Sequence, residues 1–349
     1  MIVPILSYSS VNAKTRALFG KLLSKQDYDE LLAKRTVPEV AAYIKKNTDY
    51  GAVLSGINEN LVHRGELEKL FKASLFDDFI KIFRFLPGGS KEFLKAAFLR
   101  YEVEDLKMLF RVVFTNRESE AVLNSLVFLK KYSRLDFNKL AGSSSLLEVV
   151  SNLKGSEYYN VLSHFSDNFT QPSLFDIEMS LDLHFFMSIL KLKDKLLSGE
   201  DHRSVTQTFG VEIDLLNILM IYRCKKLFKF PAELTFKYVI PHWHRLTREQ
   251  LIGLAQSRDM EEFKRLVTVT RYAGVFKKDE EHLWETNVMN FTHRMFKSHF
   301  RRDSFNFGMS IAYLHLKDID IKNIITLIEG IRYSLPKDEI KSYLLGIRL

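Results

Sequence analysis

A helix start is written twice, twelve residues apart, in SKQDYDELLAKRTVPE (residues 24–39), and the pair recurs twice more along the chain. Ser24 has Asp27 three residues on, and Thr36 has Glu39 three residues on. A Ser or Thr followed at the third position by an acid or amide is a capping box. The hydroxyl accepts an orphan helix N–H and the third side chain reaches back to the cap. The pair returns at Ser133…Asp136 and Ser145…Glu148, 109 residues later, and at Thr247…Gln250 and Asp259…Glu262, a further 114. Apolar positions follow in the same order: Leu31, Leu140, Leu254; Val40, Val149, Phe263; Ile44, Leu153, Val267. A tyrosine closes each copy, at Tyr50, Tyr159 and, one residue out of register, Tyr272.

A second element repeats as well. Glu102-Val103-Glu104, Glu212-Ile213-Asp214 and Asp318-Ile319-Asp320 are spaced by 110 and 106 residues. Each precedes a strongly apolar stretch: LKMLFRVVF, LLNILMIY and IKNIITLIEGI. Acids in a first helical turn favour the positive end of the helix dipole, so each triplet reads as a helix start. Apolar spacing is helical in other segments too, as at Leu67, Leu70, Phe71, Leu75 and Phe79, and no long alternating strand pattern stands out. The chain therefore reads as all-α, built from three similar helical units at 1–115, 116–231 and 232–349. Three copies in one chain tend toward a pseudo-threefold ring, funnel or cup, or alternatively stack as a solenoid. Pro231 suits the start of the third unit.

Composition agrees. A chain of 349 residues with 46% apolar residues and 28 Phe can fill several cores, and 15 Gly with 7 Pro leave little room for a turn-rich β fold. Cys224 is the single cysteine, which excludes an internal disulfide and suits a reducing compartment. MIVPILSYSSVNAKTR reads as a poor signal peptide, broken at Pro4 and without a basic leader. No apolar run reaches the ~18–20 residues that span a bilayer. The net charge of +8 is a modest bias toward acidic partners or surfaces.

No catalytic constellation can be assembled. There is no GxxxxGK[ST] or GxGxxG loop, and Pro87-Gly88-Gly89-Ser90 reads as an interhelical turn. His242-Trp243-His244 lacks a third ligand, and His293 and His299 are six apart, a poor spacing for one helix face. Cys224, beside Arg223 and Lys225, has no assignable His partner and reads as an inert thiol. No metal, cofactor or small-molecule substrate is expected. FTHRMFKSHFRRD (residues 291–303) mixes Arg294, Lys297, Arg301 and Arg302 with aromatics. Such a stretch can bind single-stranded nucleic acid, but an amphipathic helix with a basic solvated face accounts for it better.

Three segments resemble one family. NAKTRALFGKLLSKQDYDELLAKRTVPEVAAYIKKNTDYG, RYEVEDLKMLFR and FGMSIAYLHLKDIDIKNIITLIEGIRYSLPKDEIKSYL are similar, in this order, to segments of the C subunit of V-type and archaeal-type rotary ATPases, known in eukaryotes as the d subunit. Asp105 stands where that pattern usually has Asn, Asp318 and Asp320 where it has Glu, and 116–231 matches least. The resemblance implies a funnel of three helical domains and a non-catalytic rotor part. Its partners would be the central-stalk subunits, held in the cavity, and the proteolipid ring of the membrane sector. It implies a cytoplasmic place, peripheral to the membrane, in ATP-coupled proton or sodium transport. A helical nucleic-acid-binding or scaffold protein is the alternative. Arg111 and Arg223, in or just after the repeated acidic helices, are the residues expected to face the stalk, and Arg301 and Arg302 the ring.

Overall fold

In a computed structural model, described for residues 2–58, 64–115, 125–165, 173–302 and 306–347, helices account for the secondary structure and no β-strand occurs among the described residues. The chain divides into two compact units, Met1–Ser90 with Leu197–Leu349, and Lys91–Leu196. Residues 116–124, where the first sequence boundary falls, lie outside the described residues.

Five of the six expected helix starts are present. Ser24 and Thr247 form complete capping boxes with Asp27 and Gln250. Thr36, Ser145 and Asp259 each accept the backbone N–H of the third residue on. In these three the acid reaches one residue further back than a standard box. Glu39, Glu148 and Glu262 accept the N–H of Arg35, Ser144 and Arg258 at 3.0, 2.7 and 2.7 Å. The sixth start is displaced. Ser133 accepts the N–H of Leu135 in a turn, and the helix begins at Phe137 with Asp136 itself as cap. Asp outcompetes Ser here because its carboxylate also meets the helix dipole.

The nine aligned apolar residues are all at most 1% exposed. Burying a side chain of this size contributes roughly 1.5–3 kcal/mol, so the caps fix where each short helix begins while its apolar face holds it down.

In the second unit, Arg100–Thr115 packs along Leu174–Leu196 and against the short helices Val127–Lys131 and Leu146–Asn152. Within the first unit the same pairing occurs twice. Gly199–Lys226 packs on Trp284–Arg302, Arg248–Gln256 and Met260–Thr268, and Gly308–Arg332 packs on Arg64–Phe83 and Val37–Asn47. Each pairing combines an acidic helix with the short helices of the next repeat. For the last acidic helix, the next repeat is the first one.

One expectation is corrected. Glu212-Ile213-Asp214 and Asp318-Ile319-Asp320 do not open helices; they lie inside Gly199–Lys226 and Gly308–Arg332. Among the three triplets, only that of Arg100–Thr115 sits at a helix start. A repeated acid that is not at a helix end needs another reason to exist, and its burial supplies one.

Replacing Ser145 by Ala removes a cap hydrogen bond and is expected to cost about 1 kcal/mol. Ser133→Ala, at the displaced start, is expected to cost clearly less. Urea unfolding of the two variants beside the parent measures the difference, and equal losses would contradict this account of the caps.

Candidate functional site

Glu102, Asp214 and Asp320 are buried acids, 6%, 0% and 6% exposed. A buried carboxylate must be supplied with donors, and in each case these come from the following repeat. Tyr158 donates to Glu102 at 2.8 Å. Tyr272 donates to Asp214 at 2.8 Å, and the N–H groups of His244, Arg245 and Leu246 add three further bonds of 3.0, 2.7 and 3.1 Å. Tyr50 donates to Asp320 at 2.7 Å, with the Tyr28 hydroxyl and the Leu23 N–H beside it. Leu23 and Leu246 each directly precede the first cap of their repeat, so the two carboxylates hold equivalent loops. Burial, and then the charge of the facing acid, raise all four hydroxyls well above the ordinary tyrosine range, which keeps them protonated donors.

These bonds set the register of the acidic element. Glu102 corresponds to Asp214 and Asp320, spacings of 112 and 106, so the alignment by triplets is two residues out in the first copy. The closing tyrosine of the second copy is Tyr158 and not Tyr159. A Ser or Thr two residues earlier marks it every time: Thr48, Ser156 and Thr270 each donate to a carbonyl in the last turn or at the cap of the preceding helix. The Ser/Thr-x-Tyr pattern is the mark of the closing tyrosine in the sequence.

The corrected register brings out a second set three residues on, Asp105, Asn217 and Asn323. Asn217 accepts the Ile240 N–H at 2.8 Å and donates to the Ile240 carbonyl at 2.9 Å. Asn323 does the same with Leu345, at 2.8 and 2.9 Å. Asp105 accepts from Phe128 at 2.9 Å. The carbonyl of Phe128 is already taken by the N–H groups of Tyr132 and Ser133 inside a helix start. No amide donor is needed there, and a carboxylate suits the helix N-terminus, whose own N-cap, Leu126, makes no side-chain bond. This accounts for Asp at a position where the resemblance expects Asn.

Arg111 and Arg223 fall on one position of the same register, and both are paired within the fold. Arg111 makes a two-pronged bond with Glu178, at 2.6 and 2.7 Å. Arg223 binds Glu285 through Nη2 at 2.6 Å and Nε at 3.2 Å. The third copy carries the pair with its charges exchanged: Glu329 accepts from Arg64 at 2.9 Å. Exposed pairs contribute little, about 0–1 kcal/mol, and Arg111 and Arg223 remain 45% and 40% exposed. Arg301 and Arg302 are exposed in the last turn of Trp284–Arg302. Arg111 thus belongs to the second compact unit and the other three arginines to the first; Arg223 and the Arg301-Arg302 pair sit on different helices.

The chemistry set aside on sequence grounds has structural explanations. Cys224 is buried, which pushes its thiol up to about 11. The His242-Trp243-His244 loop is held through its backbone by Asn217 and Asp214. Among the described residues no cluster of three His, Cys, Asp or Glu side chains is placed to hold a metal, and no helix is long and apolar enough to cross a membrane. In 291–302, Phe296, His299 and Phe300 are buried, so those rings are not available to stack on bases.

The family model described as ATP synthase (C/AC39) subunit matches residues 11–343. The chain belongs to this family. It is similar to the C subunit of the A-type ATP synthase of Methanocaldococcus jannaschii, with 25% identity over 99% of this chain and 88% of that protein. It is also similar to the C subunit of the A-type ATP synthase of Methanosphaera stadtmanae, with 24% identity over 97% of this chain and 88% of that protein. As a C/AC39 protein it belongs to a family of structural rather than catalytic parts of the synthase. The resemblance read from the sequence and the match to the family model agree.

Two substitutions test the register within this C/AC39 protein. Tyr158→Phe strips a donor from a buried carboxylate and is expected to cost about 1.5–3 kcal/mol, whereas Tyr159→Phe should stay within about 0.5 kcal/mol of the parent. A third, Asp105→Asn, is expected to lower stability by about 0.5–1 kcal/mol, because an amide loses the charge facing the helix start. Thermal unfolding of the three variants decides; a neutral Tyr158→Phe or a stabilising Asp105→Asn would contradict the assignments.

Proposed function

We propose that this protein is the non-catalytic rotor subunit of a V/A-type rotary ATPase, joining the central stalk to the proteolipid ring and passing torque between them. The family match across residues 11–343 carries this reading. The three repeats, 1–115, 116–231 and 232–349, would form a pseudo-threefold cup open to the stalk, peripheral to the membrane on its cytoplasmic face, in a complex that couples ATP to proton or sodium movement.

The linkage of the repeats supports it. A part that carries torque fails where its ends come apart. Here the helix Gly308–Arg332 of the third repeat is tied to the first repeat through Asp320, and the Lys317 ammonium lies 3.7 Å from the Tyr50 ring centre. The Tyr313 hydroxyl adds a bond to Asp78 at 2.6 Å. Arg111 and Arg223, held in place by their glutamates yet partly exposed, would meet acidic groups of the stalk, and Arg301 with Arg302 the ring. Fixed charges of this kind set orientation and encounter rate more than affinity.

Mixing the purified chain with stalk subunits and, separately, with the detergent-solubilised ring, followed by size exclusion with mass detection, tests the assignment. One copy is expected to co-elute with each, and failure to bind either would remove it. The arginines need a charge exchange, because simple reversal also breaks the internal pair. The double variant Arg223→Glu with Glu285→Arg keeps an ion pair inside the fold and moves the cation from one helix to the other. It is expected to weaken stalk binding about tenfold without changing the melting temperature; unchanged binding would take Arg223 out of the interface.

A further inference from the structure

The helix Trp284–Arg302 buries Trp284, Val288, Thr292 and Phe296 on one face. Beside that face, Asn287, Asn290, His293, Arg294 and Lys297 share a flank, following the helical repeat. They wall a cavity of about 280 Å³. Its other walls come from the Gly274–Lys277 segment and from Gly346. No carboxylate is among the lining residues, while Lys277, Arg294 and Lys297 bring three cations.

The cavity is held open by specific backbone. Gly346 has φ +73° and sits so close to His293 that a Cβ there would lie 2.4 Å from the imidazole Nε2. Its N–H donates to Asn290 Oδ1 at 3.0 Å, which leaves the Asn290 amino group as the free end of that amide. His293 Nδ1 is buried and has no hydrogen-bond partner. Lys277 is shared with Glu280, 3.0 Å away, which stands outside the lining. Arg294 and Lys297 therefore provide most of the charge.

The flank also departs from the second copy, while the first, where Arg64 takes the place of Glu178, has Lys69 and Lys72 at two of the four positions. Glu285 corresponds to Glu178, since both accept the repeated arginine. In that register Asn290, His293, Arg294 and Lys297 correspond to Leu183, Phe186, Met187 and Leu190. The second copy builds the same helix with apolar residues at these positions. The scaffold does not require the polar and basic set of the third copy, and cations grouped around a shared cavity favour an anion there.

We propose that this cavity is a binding site for a phosphate-type oxyanion, held by Arg294 and Lys297 with the Asn290 amide and His293 completing the shell. The volume exceeds what a single water needs several-fold and accommodates a phosphate ester. Guanidinium and ammonium groups, with amide donors, are the groups that recognise phosphate oxygens. Burial, then Lys297 and then Arg294, depress the His293 imidazole to about 4, so His293 adds no positive charge near neutral pH and its titration reports on an anion that enters the cavity. The proposal does not rest on the rotor assignment and stands or falls separately from it.

The test uses the full chain, with inorganic phosphate in calorimetry and with phosphatidylglycerol vesicles in co-sedimentation. Saturable binding with one site is expected, weakened about tenfold or more by the double variant Arg294→Gln with Lys297→Gln. The double variant Arg248→Gln with Lys337→Gln removes the same charge from exposed positions outside the lining and should change binding less than about twofold. Binding of phosphate alone assigns a soluble phosphate compound, and binding of vesicles assigns a lipid headgroup. In the parent protein, phosphate is expected to raise the NMR titration midpoint of His293, because an anion favours the imidazolium. Absence of both binding modes, equal loss in the two double variants, or an unmoved His293 midpoint would overturn the proposal.

Discussion

A carboxylate buried between helices has to be given hydrogen-bond donors, and donors fixed in the right place can come only from a neighbouring segment that has no alternative position. Glu102, Asp214 and Asp320 impose this condition three times. Each takes its donors from the repeat that follows it, and Asp320 takes them from the first. The strength of any one bond is modest, but a missing partner would leave a buried carboxylate short of a donor at a cost of about 1.5–3 kcal/mol. The acids therefore act mainly as selectors: they reject every register in which the tyrosine is not opposite them.

The rest of the repeat is organised around that selection. The caps set the first residue of each short helix, the apolar triplets at Leu31, Val40 and Ile44 and their counterparts carry the burial, and the Ser/Thr-x-Tyr turn aims the hydroxyl. Asn217 and Asn323 fasten the approaching segment of backbone by both its donor and its acceptor. The arginine–glutamate pairs at Arg111, Arg223 and Arg64 add position more than energy, since they lie where water screens them. Exchange of the charges in the third pair shows that the position needs opposite charges across the helices and is indifferent to which helix carries which.

Function in such a chain lies in surfaces, and surfaces are where the repeat is free to vary. The core positions conform closely among the copies, while the flank with Arg294 and Lys297 departs from its counterpart in the second copy. A repeated fold gives its own reference for each position, so a residue type that one copy has and another lacks points to a role outside the shared scaffold.

The helical class, the caps and the buried triplets were legible in the amino-acid sequence, because capping and apolar periodicity act over a few residues and leave their mark in local spacing. The ends of the chain and the 100–111 segment likewise carried enough of their pattern to indicate the family that the full-length match establishes. What the local pattern could not convey was the use of the acids. Glu102 at a helix start and Asp214 within a helix look alike as short acidic triplets, and only their distant partners Tyr158 and Tyr272 distinguish the register. The pairing of Arg111 with Glu178 and of Arg223 with Glu285, and the meeting of Gly346 with His293, were likewise decided in three dimensions. A hydrogen bond between residues far apart in the chain has no period to read; it exists once the helices that carry its ends have packed.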